Sequence, residues 1–425
     1  MHTLSVRPRA LARGRPLHHA VLLLVLGSSL LSVQAAETPS FSDLLRQAQT
    51  EAPRLLEQGA NVRAARADVR QAGAWLNPTL SATAENLGAP TSGGVSQRQD
   101  TYTVTQVFET GGKRSARVEA EQRKLDAAGA RERQARLAFA AELAIAYATA
   151  EAMQQRKEVV VAESARADDD LRAAQALVKA GREAELRVAQ ARASAAAAQA
   201  AVQSSSADAA EALERLAALA GATEPFTRID HPFLAAVATP AALAEWTPAS
   251  APALASAAAE RDVLSAQVRL EQKRAMPDVG VSVGMRRFGW SSERAATIGV
   301  SASIPLFDRN QAGVEAARER AAGAALRVDA ARLEAVALHR SSIAQVQASD
   351  KRLQAALQGE LAAFDAYRLG RVGYDAGKTA LVELLAIRRA LLDATALTIE
   401  ARLARIRALA TLSLAEGRNV FGEAP

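Results

Sequence analysis

The sequence predicts a mainly α-helical fold with a β-barrel portion, built from a duplicated unit that joins a β-hairpin to long coiled-coil helices. Three features lead there: an internal repeat that holds its register, an apolar fraction dominated by alanine, and two pairs of short alternating segments that each follow a proline.

Of 425 residues, 49% are apolar, enough to bury sizeable surfaces, which excludes a disordered chain. Only 4% are aromatic, so the packed surfaces have to be thin and helical, with backbones close together. The formal charge of +6 looks like a nucleic-acid footprint until the first 35 residues are set aside. They carry Arg7, Arg9, Arg13 and Arg15 and no acid, which leaves +2. A near-neutral chain of interspersed signs lacks the concentrated Lys and Arg that phosphate backbones require, so no nucleic-acid partner is expected. The absence of cysteine excludes disulfides, thiolate metal sites, a cysteine nucleophile and lipidation of a mature N-terminal cysteine.

Residues 1–35 have the parts of a secretory signal peptide: an Arg-rich start, the apolar run Ala20 to Leu31, and the small-residue end Val33-Gln34-Ala35. Cleavage is expected after Ala35. The run is well short of the roughly 20 residues of a bilayer-spanning helix, and no later stretch reaches that length without charges. A mature chain that spans a membrane must then do so as a closed β-barrel.

The repeat is read from landmarks. Pro53, Pro78 and Phe108 recur as Pro252, Pro277 and Phe307, all at an offset of 199. Three extra residues follow Phe108, after which Gly181 pairs with Gly377 and Gly221 with Gly417 at an offset of 196. The chain thus divides into a first repeat (36–221), a Pro- and Ala-rich linker without helical period (222–249), a second repeat (250–417) and a short C-terminal tail (418–425).

Each repeat opens with an amphipathic helix, near 41–74 and 250–275, that stops before Pro78 or Pro277. Hairpins of roughly ten-residue strands follow at 79–108 and 278–306, a strand length that crosses a bilayer when tilted. Then come long helices, 114–220 with a tip near 181 and 314–416 with a tip near 377. The outgoing legs, 114–178 and 314–372, call for a partner of similar length. In the second repeat Leu385, Leu392, Ile399 and Ile406 recur every seven residues, with Ala396, Leu403 and Ala410 at the other seam position and Arg389 interrupting it. The corresponding first-repeat positions are Ala189, Ala193, Ala196, Ala200, Ala207 and Ala210. Four strands cannot close a barrel, so several copies have to share one, and three copies would give twelve strands. Ordinary coiled-coil rods, and soluble hairpins packed on helices, compete with this reading.

These residues resemble the TolC-like outer-membrane factors, the trimeric channel-tunnels of tripartite efflux pumps, over essentially the whole mature chain. The strand-to-helix junctions FETGGKRSARVEA (Phe108 to Ala120) and PLFDRNQAGVEAA (Pro305 to Ala317) are most similar to the CzcC-type branch, which serves heavy-metal pumps. The resemblance implies a homotrimer with a twelve-stranded outer-membrane β-barrel on a periplasmic α-helical barrel. It also implies a passive conduit for divalent cations such as cobalt, zinc and cadmium, working with a periplasmic adaptor (membrane fusion protein) and an inner-membrane RND transporter. By the same resemblance, Lys179-Ala180-Gly181-Arg182 and Asp375-Ala376-Gly377-Lys378 are periplasmic tips where the adaptor docks. Glu383, six positions after Gly377, and Tyr374 line the constriction of the resting tunnel; Arg187 is the first-repeat equivalent of Glu383. Other branches export drugs, organic compounds or, in type I secretion, proteins. A periplasmic coiled-coil adaptor or scaffold is the rival from another class, although this chain carries two duplicated hairpins where adaptors usually have one helical hairpin and a lipoyl-like domain.

No enzyme, cofactor or metal site is expected. Gly111-Gly112-Lys113-Arg114 fails the phosphate-loop pattern twice, at Val107 and at Arg114. Beyond residue 35 only His231 and His339 remain, too few and too far apart for a zinc site. Asp168-Asp169-Asp170 reads as a solvated helix face.

Overall fold

A computed structural model describes residues 38–88, 94–237, 246–376 and 378–421. The expected signal peptide and cleavage after Ala35, the expected tip glycine Gly377, part of the linker and the end of the tail lie outside them. The chain divides into two compact units, Met1–Ala35 and Ala36–Pro425, and the described residues all belong to the second.

Along that unit run α1 (Phe41–Glu51), α2 (Pro53–Ala72), β1 (Thr79–Glu85), β2 (Gln99–Glu109), α3 (Lys113–Lys179), α4 (Glu185–Ala220), α5 (Pro252–Arg274), β3 (Asp278–Phe288), β4 (Arg294–Ala302), α6 (Gln311–Asp375) and α7 (Leu381–Glu416). The first expected helix is therefore two. Ala52, between α1 and α2, is extended at ψ 122°, because the ring of Pro53 disfavours helix at the residue before it. Ala251 does the same before Pro252, also at ψ 122°.

The long legs are unbroken. α3 runs 67 residues without interruption, about 100 Å at 1.5 Å per residue. The expected partner of similar length is not there, since α4 has only 36 residues. Instead two helices in series flank each long one: α4 and then α2 along α3, α7 and then α5 along α6. The splice between them is a glycine. Gly221 caps α4 at φ 79°, and a Cβ there would lie 3.3 Å from Pro53 Cδ and 3.4 Å from Ala52 Cα. Gly417 caps α7 at φ 75° and abuts the Ser250 carbonyl and Pro252 more tightly still, so that a side chain has no room.

The main core sits at the first splice, where α1, α3, α4 and α7 meet. Leu143, Tyr147, Leu216 and Ile406 are fully buried there, with Phe41, Tyr147, Phe233 and Phe421 forming an aromatic cluster. The connecting segment after α4 has no helix over 222–237, yet it is not loose. Phe226, Ile229, Phe233 and Leu234 are buried, and the buried Glu151 accepts the Phe233 and Leu234 N–H groups, both at 2.8 Å. Burial, and after it the charges of Glu151 and Asp230, push the Tyr147 hydroxyl up to about 12; it donates to the Pro39 carbonyl at 3.1 Å.

The alanine seam assigned to α4 is a misreading. Ala189, Ala193, Ala196, Ala200, Ala207 and Ala210 are all exposed within the protomer, while Ala195, Ala209, Leu213, Leu216, Ala217 and Ala220 are buried. Burying leucine gains more than burying alanine, so Leu213 and Leu216 decide which face turns inward. In α7 the seam closes only away from the tip: Ile399, Leu403, Ile406 and Ala410 are buried, Leu385 and Ala396 exposed.

The strands form one antiparallel sheet in the order β1-β2-β3-β4, with the two hairpins joined through β2 and β3. β2 and β3 have 11 residues each, β4 has 9 and β1 only 7.

Candidate functional site

Successive strand side chains point to opposite faces. The register aligns Leu80, Val104, Val283 and Ile298 in one row and Ala82, Tyr102, Met285 and Ala296 in the next, all on one face. The other face holds Ser81, Thr103, Gly284 and Thr297, flanked by the row Thr79, Thr105, Ser282 and Gly299 on one side and Thr83, Thr101, Arg286 and Ala295 on the other. The apolar face is open, with Ile298 81% and Leu80 77% exposed. A contiguous exposed apolar surface of this kind calls for a lipid or protein partner. The polar face is crowded: a Cβ at Gly284 would come within 2.6 Å of the Tyr102 carbonyl and 2.7 Å of Thr297 Oγ1, and one at Gly280 within 2.5 Å of Ser301 Oγ. Glycine at these positions thus permits close approach of the neighbouring strands on the polar side. β1 and β4 are edges whose outer ladders find no partner within the sheet.

The junctions below the sheet are tied by charge. Arg117 reaches Glu109 at 2.9 Å and the Ala72 carbonyl at 2.9 Å, joining β2, α2 and α3. Lys113 pairs with Asp278 at 2.8 Å, and Arg114 donates to the Gly73 carbonyl at 2.7 Å while lying over the Trp75 ring. The Gly111-Gly112-Lys113-Arg114 run is therefore a turn and two anchors: both glycines have positive φ, and a Cβ on Gly111 would overlap Met276.

In the second junction Asn310 takes the left-handed conformation (φ 55°) and donates at 2.9 Å to both the carbonyl and carboxylate oxygens of Glu271. Burial of Glu271 opposes its ionisation, but donors on Asn310 and Gln267 and the charge and hydrogen bond of Arg274 outweigh it and hold the carboxyl below its ordinary value. A carboxyl lowered on folding adds stability that is fully present above its unfolded value, near 4.5, and is lost as pH falls through the folded one. Glu271→Gln should consequently lower the melting temperature at pH 7 and shrink the wild-type loss between pH 7 and pH 4, measured by circular dichroism in detergent.

Both helical turns close with main-chain bonds. At the first tip Arg182 N–H reaches the Leu177 carbonyl at 2.9 Å and Gly181 takes φ 70°. At the second Lys378 N–H reaches the Gly373 carbonyl at 2.8 Å. Lys179, Ala180, Gly181, Arg182, Ala376 and Lys378 are exposed; Asp375 ends α6, and Gly377 lies outside the described residues. Tyr374 is in the last turn of α6 and Glu383 in the first turn of α7, both exposed. An acid there also favours the helix dipole. Among the described residues no ion pair joins Glu383 to Arg187.

About three turns above the tips, Arg388 of α7 clamps α3. It pairs with Glu163 at 3.0 Å and Asp170 at 2.7 Å, its side chain only 12% exposed. The acidic run is thus not wholly solvated: Asp170 is committed to Arg388, and Asp169 pairs with Arg172 on its own helix. Elsewhere His339 stacks on Trp246 at 3.9 Å, and His231 offers its carbonyl to Tyr147. Among the described residues no three His, Cys, Asp or Glu side chains gather as metal ligands, and no helix is long and apolar enough to cross a membrane.

The family model for outer membrane efflux proteins matches residues 44–222 and 246–418. The chain is 54% identical over 417 residues to the nickel and cobalt resistance protein CnrC of Cupriavidus metallidurans, covering 97% of this chain and 98% of that one. It is 53% identical over 406 residues to the nickel-cobalt-cadmium resistance protein NccC of Alcaligenes xylosoxydans xylosoxydans, covering 95% and 91%. The cobalt-zinc-cadmium resistance protein CzcC of Cupriavidus metallidurans is more distant, at 28% over 77% of each chain. Among solved structures, the outer-membrane channel OprN superposes with a TM-score of 0.74 at 23% identity over 91% of each chain, and CusC with 0.75 at 17% over 88% and 91%.

Proposed function

The chain belongs to the outer membrane efflux protein family, and from that premise we propose that three copies form the outer-membrane channel of a tripartite pump that expels divalent metal cations. The observation that carries this reading is the sheet, apolar and exposed on one face, polar and less exposed on the other, with two open edges. Pairing β4 of one copy with β1 of the next would satisfy both edges and enclose the Thr, Ser and Gly face around a lumen. Likeness to relatives named for nickel and cobalt resistance, at 53–54% identity against 28% for the cobalt-zinc-cadmium protein, favours nickel and cobalt as cargo.

In this reading residues 1–35 are an export signal cut after Ala35. The turns at Lys179 to Arg182 and Asp375 to Lys378 dock a periplasmic adaptor coupled to an inner-membrane RND transporter. Glu383 and Tyr374 line the constriction that adaptor engagement opens. Export itself needs no catalysis by this chain.

Deleting the gene should sensitise cells to nickel and cobalt, and the full chain should restore tolerance and appear as an SDS-resistant trimer in the outer-membrane fraction. Unchanged metal tolerance with new drug sensitivity would reassign the cargo; a soluble periplasmic monomer would overturn the channel.

A further inference from the structure

The sheet ends differently at its two margins. Toward the helices its charges are neutralised, Lys113 by Asp278 and Arg117 by Glu109. At the loop end two are not. The register sets Arg287 directly across from Arg294, on the same face as Tyr102, Met285 and Ala296 and one row beyond them. Both arginines are exposed, and among the described residues neither has an ion pair. Asp100, across from Arg287 on the other side, is committed to Arg98 at 2.9 Å. Arg286, on the polar face, donates to Thr101 Oγ1 at 3.1 Å. The remaining acid nearby, Glu293, sits in the turn before Arg294 with its backbone N–H on Ser291 Oγ.

Two like charges directly opposite each other on a sheet are destabilising unless an anion lies between them. Guanidinium groups suit that role, since each presents a planar fork that grips a phosphate through two hydrogen bonds. The depth is also right. From Val279 to Arg287 the strand rises about 27 Å, and a tilt of about 40° leaves roughly 20 Å of apolar height, close to the band of a membrane barrel. Beside this margin Trp290 packs on Phe288 with ring centroids 4.5 Å apart, a side chain typical of the headgroup level.

We propose that Arg287 and Arg294, flanked by Arg98 and Trp290, form a site on the outer wall of the barrel for the phosphate groups of the outer-leaflet glycolipid, lipid A. This rests on the reading of the sheet as membrane-spanning with its helices in the periplasm, which puts the loop end in the outer leaflet. The pair serves to anchor and orient the barrel and takes no part in transport.

The full chain, purified as the trimer from outer membranes, tests this with three probes: bisphosphorylated lipid A, lipid A stripped of both phosphates, and inorganic phosphate. Native mass spectrometry and thermal melts should show retention and stabilisation by the first alone. In Arg287→Gln/Arg294→Gln, retention should fall about tenfold or more, the loss of roughly 1.4 kcal/mol, with Arg287→Lys/Arg294→Lys intermediate. Equal retention of both lipids by the wild type, equal stabilisation by inorganic phosphate, or unchanged binding in the Gln variant would each overturn the site. The lipid comparison needs no variant, so it decides even if the Gln protein assembles poorly. A wild-type chain absent from the outer membrane would overturn the channel reading itself, whereas a membrane trimer indifferent to lipid phosphate would overturn only this site.

Discussion

Val283→Arg should abolish the outer-membrane trimer, while Thr103→Arg, one position along the ladder but on the opposite face, should assemble and change only conductance. Val283 lies midway along the apolar face, aligned with Val104 and Ile298. An arginine at the bilayer midplane of a barrel costs about 2–4 kcal/mol, and a trimer incurs it three times. That is comparable with the whole stability of many domains. Thr103 faces the Gly and Thr side, where an added guanidinium stays in water. Outer-membrane fractionation and unheated SDS gels read assembly, and planar bilayers read conductance. A heat-modifiable trimer of the Val283 variant at wild-type levels would mean that this face does not meet lipid.

Gly417→Val should be the most damaging single change among the helices. The residue has φ 75°, a region that a β-branched side chain enters only with strain of about 1–3 kcal/mol. Its Cβ would also be driven into the Ser250 carbonyl and to 3.1 Å from Pro252 Cδ. Separating α7 from α5 to make room would open the covering of α6, so thermal melts should drop by several degrees and trimer yield should fall. Gly323→Ala, inside α6 with nothing within 4 Å of the new Cβ, should instead be neutral or stabilise by about 0.5–1 kcal/mol, because glycine is a poor helix former. Equal melting of the Gly417 variant and wild type would mean that the splice is slack.

What the sequence made legible is what physics writes locally. Helices end short of Pro78 and Pro277, Gly181, Gly221 and Gly417 close others in the left-handed conformation, and alternating Thr, Val and Ser mark the strands, whereas the break at Pro53 was read through. Their recurrence at a constant offset exposes the repeat. The partner of α3 was misjudged because nothing local says that α4 stops halfway and that α2, which precedes it by over a hundred residues, completes the cover. The α4 seam failed because alanine fits inside and outside a helix pair equally well. The interactions that escaped notice join distant residues: Glu151 to Phe233 across 82 positions and Arg388 to Asp170 across 218. A lone Glu or Arg in a helix carries no local sign that it will be buried or paired.

The glycine splices give the bundle an uneven mechanical character. Each long helix is an unbroken beam, and the helices laid along it form a beam cut once partway and butted together. Among the described residues no main-chain hydrogen bond joins α4 to α2 or α7 to α5 across the cut, whereas those inside α3 and α6 run past it unbroken. The cut is bridged by side-chain packing alone, and the main core, with Leu143, Tyr147, Leu216 and Ile406, is gathered at the level of the first one. Toward the tips that packing thins to exposed alanines on α4 and an open leucine seam on α7, so the resistance of the bundle to bending falls from the splice to the tips.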